Sequence, residues 1–136
     1  MRIALLVALS ACAWPAAAQL VAGDWEFVST MTSAVLPKPQ TSTVRQCISQ
    51  AEADDPARFT SRDQPQDCST KPGEKSGNTY TWSVACPKLG MTGTGRASFA
   101  GKTLQSEMRM TMVSDGKKME LHSVTKGRYL GPCQTK

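Results

Sequence analysis

The sequence is poor in the residues on which catalysis and metal binding usually depend. It has one histidine, His122, among 136 residues, and its five cysteines form no C-x-x-C pair. A catalytic triad would have to use this single imidazole, and a zinc site would lack its usual ligand spacing. The glycine-rich segment Gly90 to Gly95 precedes no helical pattern, so it does not predict a phosphate-binding loop. We therefore expect a protein that is not an enzyme and that has no cofactor and no metal ion.

Long apolar runs are also lacking, apart from one at the start of the chain. Arg2 precedes an apolar segment from Ile3 to Trp14, which is too short to span a membrane. Three alanines, at 16 to 18, provide the small residues of a cleavage site. The pattern predicts a signal peptide at 1–18, a single domain at 19–136, and a periplasmic or secreted protein. No transmembrane segment is predicted elsewhere.

A second cleavage site is an alternative. Leu9-Ser10-Ala11-Cys12 resembles a bacterial lipobox, in which the cysteine becomes the lipid-bearing first residue. Cleavage there would leave a short apolar segment and would not use the alanine site. The main prediction is therefore cleavage before Gln19, and a lipoprotein anchored through Cys12 is the alternative.

Four cysteines remain in the predicted mature chain, at Cys47, Cys68, Cys86 and Cys133. An even number of cysteines in an exported protein predicts two disulfides. Four cysteines allow three pairings, and the sequence does not choose among them. We favour Cys47–Cys68, which would close the polar middle of the chain, and Cys86–Cys133, which would tie back the last strand.

Charge is distributed unevenly along the chain. The formal net charge is +5, and the segment from 88 to 136 has nine Lys and Arg residues against three Asp and Glu. A basic half can bind an anionic partner in the cell envelope, or it can simply form a solvated face. Nucleic-acid binding is not expected, because the aromatic side chains alternate toward the core instead of following the basic residues. The sequence does not indicate the oligomeric state.

Alternation of apolar and polar residues predicts strands over much of the chain. The clearest is Thr79 to Cys86, in which the even-numbered residues share one face. Gly23 to Met31 and Thr41 to Ile48 are predicted as the first two strands.

The segment between these strands is mostly polar. Ser49 and Glu52 have the spacing of a capping box, which predicts one short helix. The segment 60–78 is rich in Pro, Asp, Ser, Lys and Gly, and it is predicted as a loop.

Two turns fix the register of the later strands. Gly101-Lys102 and Asp115-Gly116 have the residues of two-residue hairpin loops. Pairing outward from these turns, and from a turn at 87–90, gives five cross-strand pairs: Phe99 with Leu104, Gly95 with Met108, Met112 with Met119, Arg109 with His122, and Trp82 with Gly95. One face then collects nine apolar residues: Met91, Ala97, Phe99, Leu104, Met108, Met110, Met112, Met119 and Leu121. The predicted fold class is mainly β, a single antiparallel meander sheet, curled or barrel-like, with one short helix and two disulfides.

Two ligand-binding hypotheses arise from the apolar face. Met108, Met110 and Met112 alternate on one strand, and thioethers suit copper(I), although the packing of a small core explains the same stripe. Gly23-Asp24-Trp25 is similar to the start of lipocalin-like barrels, so a carrier of a small apolar ligand is the alternative function. A cavity of ligand size would favour the carrier, and a solid methionine core would eliminate it.

Several short motifs carry a resemblance to a known family. They are Gly23-Asp24-Trp25-Glu26, Gln46-Cys47-Ile48, Thr81 to Cys86, Gly93-Thr94-Gly95 and Gly127 to Cys133. The chain resembles a family of exported bacterial proteins catalogued as domain of unknown function 3617. The resemblance implies a periplasmic location and a β-rich fold, and it carries no activity and no catalytic residues. The leading expectation is a non-enzymatic binding or envelope-accessory role in the periplasm.

Overall fold

The computed structural model describes residues 20–60, 62 and 64–134, and its described strands form one antiparallel sheet. The seven strands are β1 Gly23–Ser33, β2 Gln40–Ile48, β3 Ser69–Ser76, β4 Thr79–Cys86, β5 Met91–Phe99, β6 Thr103–Ser114 and β7 Lys117–Gly131. Two short helices, α1 Gln50–Asp54 and α2 Pro56–Thr60, connect β2 to β3, and a 3₁₀ turn at Pro87–Leu89 connects β4 to β5. The mainly β, antiparallel fold class is thus confirmed. The predicted signal peptide at 1–18, with Cys12, lies outside the described residues.

The predicted register of the later strands is confirmed pair by pair. The structure contains the predicted pairs Phe99 with Leu104, Gly95 with Met108, Met112 with Met119, Arg109 with His122 and Trp82 with Gly95. At the β6–β7 turn, the backbone angle φ is 51° at Asp115 and 73° at Gly116. Positive φ at both central residues is what a type I′ hairpin turn requires, so the turn and the register agree.

The strand order is β2-β1-β7-β6-β5-β4-β3, and the sheet curls without closing. The meander runs from β3 to β7, and β7 then pairs with β1 in the middle of the sheet. Val44 on β2 and Val84 on β4 line the same cavity, although five inter-strand steps separate their strands. In a flat sheet these strands would be roughly 24 Å apart, because neighbouring strands lie about 4.8 Å apart. The sheet is therefore strongly curved, and its apolar face is concave.

The structure has two short helices where the sequence predicted one. The capping box is present, because the Ser49 hydroxyl accepts a hydrogen bond from the Glu52 backbone N–H at 3.3 Å and the Glu52 carboxylate accepts one from the Ser49 backbone N–H at 2.9 Å. Asp55 is extended, with φ −132° and ψ 93°, because a residue before proline avoids the helical region. Pro56 then begins α2, since the first position of a helix does not need a backbone donor.

The prediction of a loop from 60 to 78 was wrong for its second half. Ser69–Ser76 forms β3, which pairs with β4 at the edge of the sheet. Edge strands tolerate proline and lysine because one side of the strand makes no ladder hydrogen bonds. Lys71 and Pro72 lie in this strand. These residue types indicated a loop in the sequence, but they are also typical of an edge strand.

The favoured disulfide pairing was also wrong. The disulfides are Cys47–Cys133 and Cys68–Cys86, with Cα–Cα distances of 5.5 and 4.1 Å. Ser69 pairs with Ala85, and the β3–β4 register therefore places Cys68 opposite Cys86. At the other end, Asp24 on β1 pairs with Cys47 on one side and Gly131 on the other, which brings Cys133 close to Cys47.

The core lies on the concave face, where large side chains are placed across from glycines. Trp82 is 9% exposed, stacks on Tyr80 at 5.7 Å between ring centroids, and covers Gly95 on the next strand. A Cβ atom at Gly127 would lie 2.7 Å from Cε1 of Phe27. These glycines are needed for the close approach of a ring to the neighbouring backbone, and a methyl group in either place would overlap that ring.

Gly95→Ala is therefore expected to lower the free energy of unfolding by roughly 1–3 kcal/mol, because the added methyl group overlaps the Trp82 ring. Chemical denaturation of the oxidised protein measures the change. Thr94→Ala, on the convex face of the same strand, is the control and should change stability by less than about 0.5 kcal/mol. Trp82→Leu in the Gly95→Ala background should show a favourable coupling energy. Equal stabilities of the Gly95→Ala and Thr94→Ala proteins would contradict the packing.

Peptide mapping tests the disulfide pairing directly. Lys and Arg residues separate the four cysteines, so trypsin places each in its own peptide. Without reduction, mass spectrometry should find the Cys47 peptide linked to the Cys133 peptide, and the Cys68 peptide linked to the Cys86 peptide. A Cys47–Cys68 link in freshly folded protein would show that the register of β3 against β4 is wrong.

Candidate functional site

The concave face of the sheet is not filled by its own side chains. It forms a groove of about 430 Å³, lined by residues of β1, β2, β4, β5, β6 and β7 and by the chain between α2 and β3. This volume lies within the range of roughly 300–1,000 Å³ that is usual for small-molecule sites. We refer to this cavity as the groove.

Aromatic side chains form one end of the groove. Phe27 and Phe99 extend from β1 and β5, and Phe59 of α2 packs on Phe27 with 5.6 Å between ring centroids. Trp25 stacks on Phe27, with 6.1 Å between ring centroids, is fully buried, and donates a hydrogen bond from Nε1 to the Val21 carbonyl at 2.8 Å. The tryptophan of the Gly-x-Trp motif therefore packs behind the phenylalanine rings that line this end of the groove.

Methionines and Trp82 form the other end. Met91, Met108 and Met110 line the groove, and their side chains are half-buried. These side chains border open space and do not form the solid core that would eliminate a carrier. Met112 pairs with both Met91 and Met119, so three thioethers also occupy one cross-strand row. Copper(I) binding by the predicted Met108, Met110 and Met112 stripe stays a prediction.

A row of hydroxyl groups crosses the groove between its two apolar ends. Ser29, Thr125 and Ser106 are consecutive cross-strand partners on β1, β7 and β6, and all three line the groove. The hydroxyls of Ser29 and Thr125 are hydrogen-bonded to each other, with 2.7 Å between Oγ and Oγ1. We refer to these three residues as the hydroxyl row.

An ion pair lies at the side of the groove that α1 and α2 cover. Arg62 donates from Nε to Oε1 of Glu52 at 2.6 Å and from a terminal nitrogen to the Cys47 carbonyl at 3.1 Å. The hydrogen bond from Arg62 is the main cause that lowers the pKa of Glu52, and the Ser49 backbone and hydroxyl lower it further. Sequence reasoning missed Arg62, because the residue lies in the predicted loop and no motif includes it.

The family model described as "Protein of unknown function (DUF3617)" matches residues 20–133. The chain belongs to this family. The resemblance carried by the Gly-x-Trp-Glu opening and the four cysteines is thereby confirmed. No curated protein and no solved structure matches the chain.

In this DUF3617 protein the single histidine, His122, lies on the convex face, away from the groove. His122 pairs with Arg109 as predicted, and its Nε2 lies 2.8 Å from Oε1 of Glu107. The His122 and Arg109 hydrogen bonds hold the pKa of Glu107 below its usual value. Glu120, which shares this face of β7 with His122, pairs with Lys118 at 3.3 Å. Glu107 is two residues from Arg109 on β6 and therefore lies diagonally across from His122. The sequence predicted the directly opposite pair of Arg109 and His122 and missed this diagonal neighbour.

Neither metal clusters nor membrane spans were found in the described part of the DUF3617 chain. Its histidine, cysteine and acidic residues form no group of three or more able to hold a metal ion at residues 20–60, 62 and 64–134. The helices within those same ranges are too short and too polar to cross a membrane.

The ion pair of Glu52 and Arg62 makes a testable contribution to stability. A carboxyl whose pKa is lowered by folding stabilises the native state above its unfolded pKa, and this stabilisation is lost as the pH falls through the folded pKa. Arg62→Gln should therefore lower the free energy of unfolding by roughly 1–2 kcal/mol near pH 7. The difference from the wild type should shrink as the pH is lowered below the usual carboxyl value of 4.5. Urea denaturation across this pH range measures both effects.

Lys118→Gln is the control, because it removes an exposed ion pair and should cost less than about 0.5 kcal/mol at any pH. A loss for Arg62→Gln that stays constant as the pH falls would mean that Arg62 stabilises the protein by packing or through the Cys47 carbonyl, and not through Glu52.

Proposed function

We propose that this protein is a non-enzymatic binding protein that takes a small, mainly apolar ligand into the groove. The observation that carries the proposal is a ligand-sized cavity on the concave face of the sheet. Val44, which is 48% exposed, and the half-buried methionines border this cavity, so apolar surface that a small domain would normally bury remains open to solvent. A ligand in the groove would remove this surface from water, which is favourable in proportion to the apolar area covered.

The groove has supports that keep it from collapsing. Helices α1 and α2 connect the strands at the two edges of the sheet, and Phe59 and Arg62 of this connection lie along the groove. The Cys68–Cys86 disulfide fixes the end of the connection to β4. The cavity therefore exists before a ligand arrives, as is usual for small-molecule sites, and binding would not have to displace a packed core.

Export to the periplasm is part of the proposal. The predicted signal peptide at 1–18 supports it, and so do the two disulfides, since disulfides persist mainly in oxidising compartments. The carrier hypothesis takes precedence over the envelope-accessory role, because the groove gives the carrier a defined site. The basic convex face remains available to an anionic envelope partner.

Filling the groove should abolish binding. The uncharged fluorescent dye N-phenyl-1-naphthylamine should bind the wild type, and Met110→Trp should weaken binding by about tenfold or more, because the larger ring occupies the groove. Thr111→Trp, one residue away on the opposite face, is the matched control and should bind the dye as the wild type does. Circular dichroism confirms that both variants fold. Equal affinity in the two variants, or no binding by the wild type, would overturn the proposal.

A further inference from the structure

We infer that the groove selects an uncharged ligand with an internal hydrogen-bonding group, such as an ester, and discriminates against a carboxylate of the same size. The inference rests on the proposed function and adds the chemical class of the ligand. Three features carry it: the position of the hydroxyl row, its unused hydrogen-bonding capacity, and the neutralisation of the charged side chain beside the groove.

The hydroxyl row lies in the middle of the apolar face and not at its border. On β1 and β6, the residues two positions before the row are Phe27 and Leu104, which belong to the aromatic end. On β6, the residue two positions after the row is Met108, at the methionine end. Because side chains two residues apart share a face, apolar surface extends on both sides of the row. A ligand lying along the groove would therefore place its polar group internally, with apolar groups on either side.

The hydroxyl row has hydrogen-bonding capacity that the protein does not use. A hydroxyl carries one donor and two acceptor lone pairs, and the bond between Ser29 and Thr125 uses one donor and one lone pair. The Ser106 hydroxyl lines the groove and forms no hydrogen bond with another residue in the described part of the chain. An apolar ligand covering these groups would remove them from water without replacing their hydrogen bonds, which is unfavourable. An ester or a similar neutral group would accept a hydrogen bond there.

The electrostatics of the groove oppose an anionic ligand. Among the groove-lining residues that the structure describes, Arg62 is the one with a charged side chain. Its guanidinium is engaged by the Glu52 carboxylate and the Cys47 carbonyl. A ligand carboxylate would thus lose its hydration without gaining a counter-charge, and it would meet the negative charge of Glu52 beside Arg62.

A pair of isomers tests the inference. Butyl hexanoate and decanoic acid have the same atoms, but the first is a neutral ester with apolar groups on both sides and the second is ionised at about pH 8. In displacement of N-phenyl-1-naphthylamine from the full-length mature protein, the ester should bind about tenfold or more tightly than the acid. The Ser29→Ala, Thr125→Val variant should weaken binding of the ester by about fivefold or more relative to binding of the apolar dye. Thr92→Val, on the convex face, should change neither.

The outcomes separate this inference from the proposed function. If the wild type does not bind the dye, the proposed function fails. If the dye binds but the acid competes as well as the ester, or if the ester keeps its affinity in the double variant, the inference is overturned while the binding function stands. Ser106→Ala tests the same row independently if the double variant does not fold, and it should also weaken the ester selectively. A variant that weakens the ester and the dye equally would indicate a change of groove shape and would likewise contradict the role of the row.

Discussion

The structure depends on the contact between large rings on one strand and glycines on the next. Trp82 covers Gly95, and Phe27 covers Gly127, so in both places a ring lies against bare backbone. A sheet with a full side chain at each of these positions could not bring the neighbouring residues of the concave face so close together. Because these rings lie close against the adjacent strands, the sheet can bend around them, and glycine permits that bend. The curvature of the molecule follows from a few small residues in register with large ones.

Curvature then determines where the rest of the chain can go. The sheet brings β2 and β4 to opposite walls of one cavity, and the α1–α2 connection joins the edge strands along that cavity. Each disulfide lies at an end of this arrangement: Cys47–Cys133 joins β2 to the end of β7 across β1, and Cys68–Cys86 joins the end of the connection to β4. The groove thus results from the curvature of the sheet and from the α1–α2 connection that covers it. Its lining consists mainly of side chains on the concave face.

Much of the sheet could be predicted because its information is local. Asp115-Gly116 and Gly101 are turn residues, and two-residue alternation carries the register outward from each turn, which is why the pairs of Phe99 with Leu104 and of Met112 with Met119 were correct. The strand β3 could not be predicted in this way, because a polar edge strand containing Pro72 has the composition of a loop. The disulfide pairing depended on β3 and was wrong for that reason. Alternation also tells which face is apolar but not whether that face is filled, so a cavity was only one of two alternatives, and Arg62 beside it was not predicted.

The two faces of the sheet contribute unequally to stability, and this limits how much open groove the fold can tolerate. The convex face carries ion pairs such as Arg128 with Glu26 at 2.7 Å and Arg109 with Glu107 at 2.8 Å, whose arginines are well exposed. Exposed pairs of this kind contribute little, so burial on the concave face must supply most of the stability. Leaving part of that face open therefore removes stabilisation that a small domain needs.

The disulfides offset this loss without occupying the groove. With sequence separations of 86 and 18 residues, restriction of the unfolded chain contributes about 4–5 and about 3 kcal/mol, respectively. These contributions act on the unfolded state, and of the four cysteines only Cys68 and Cys86 line the groove. Loss of the disulfides would therefore remove part of the stability that offsets the open face of the sheet.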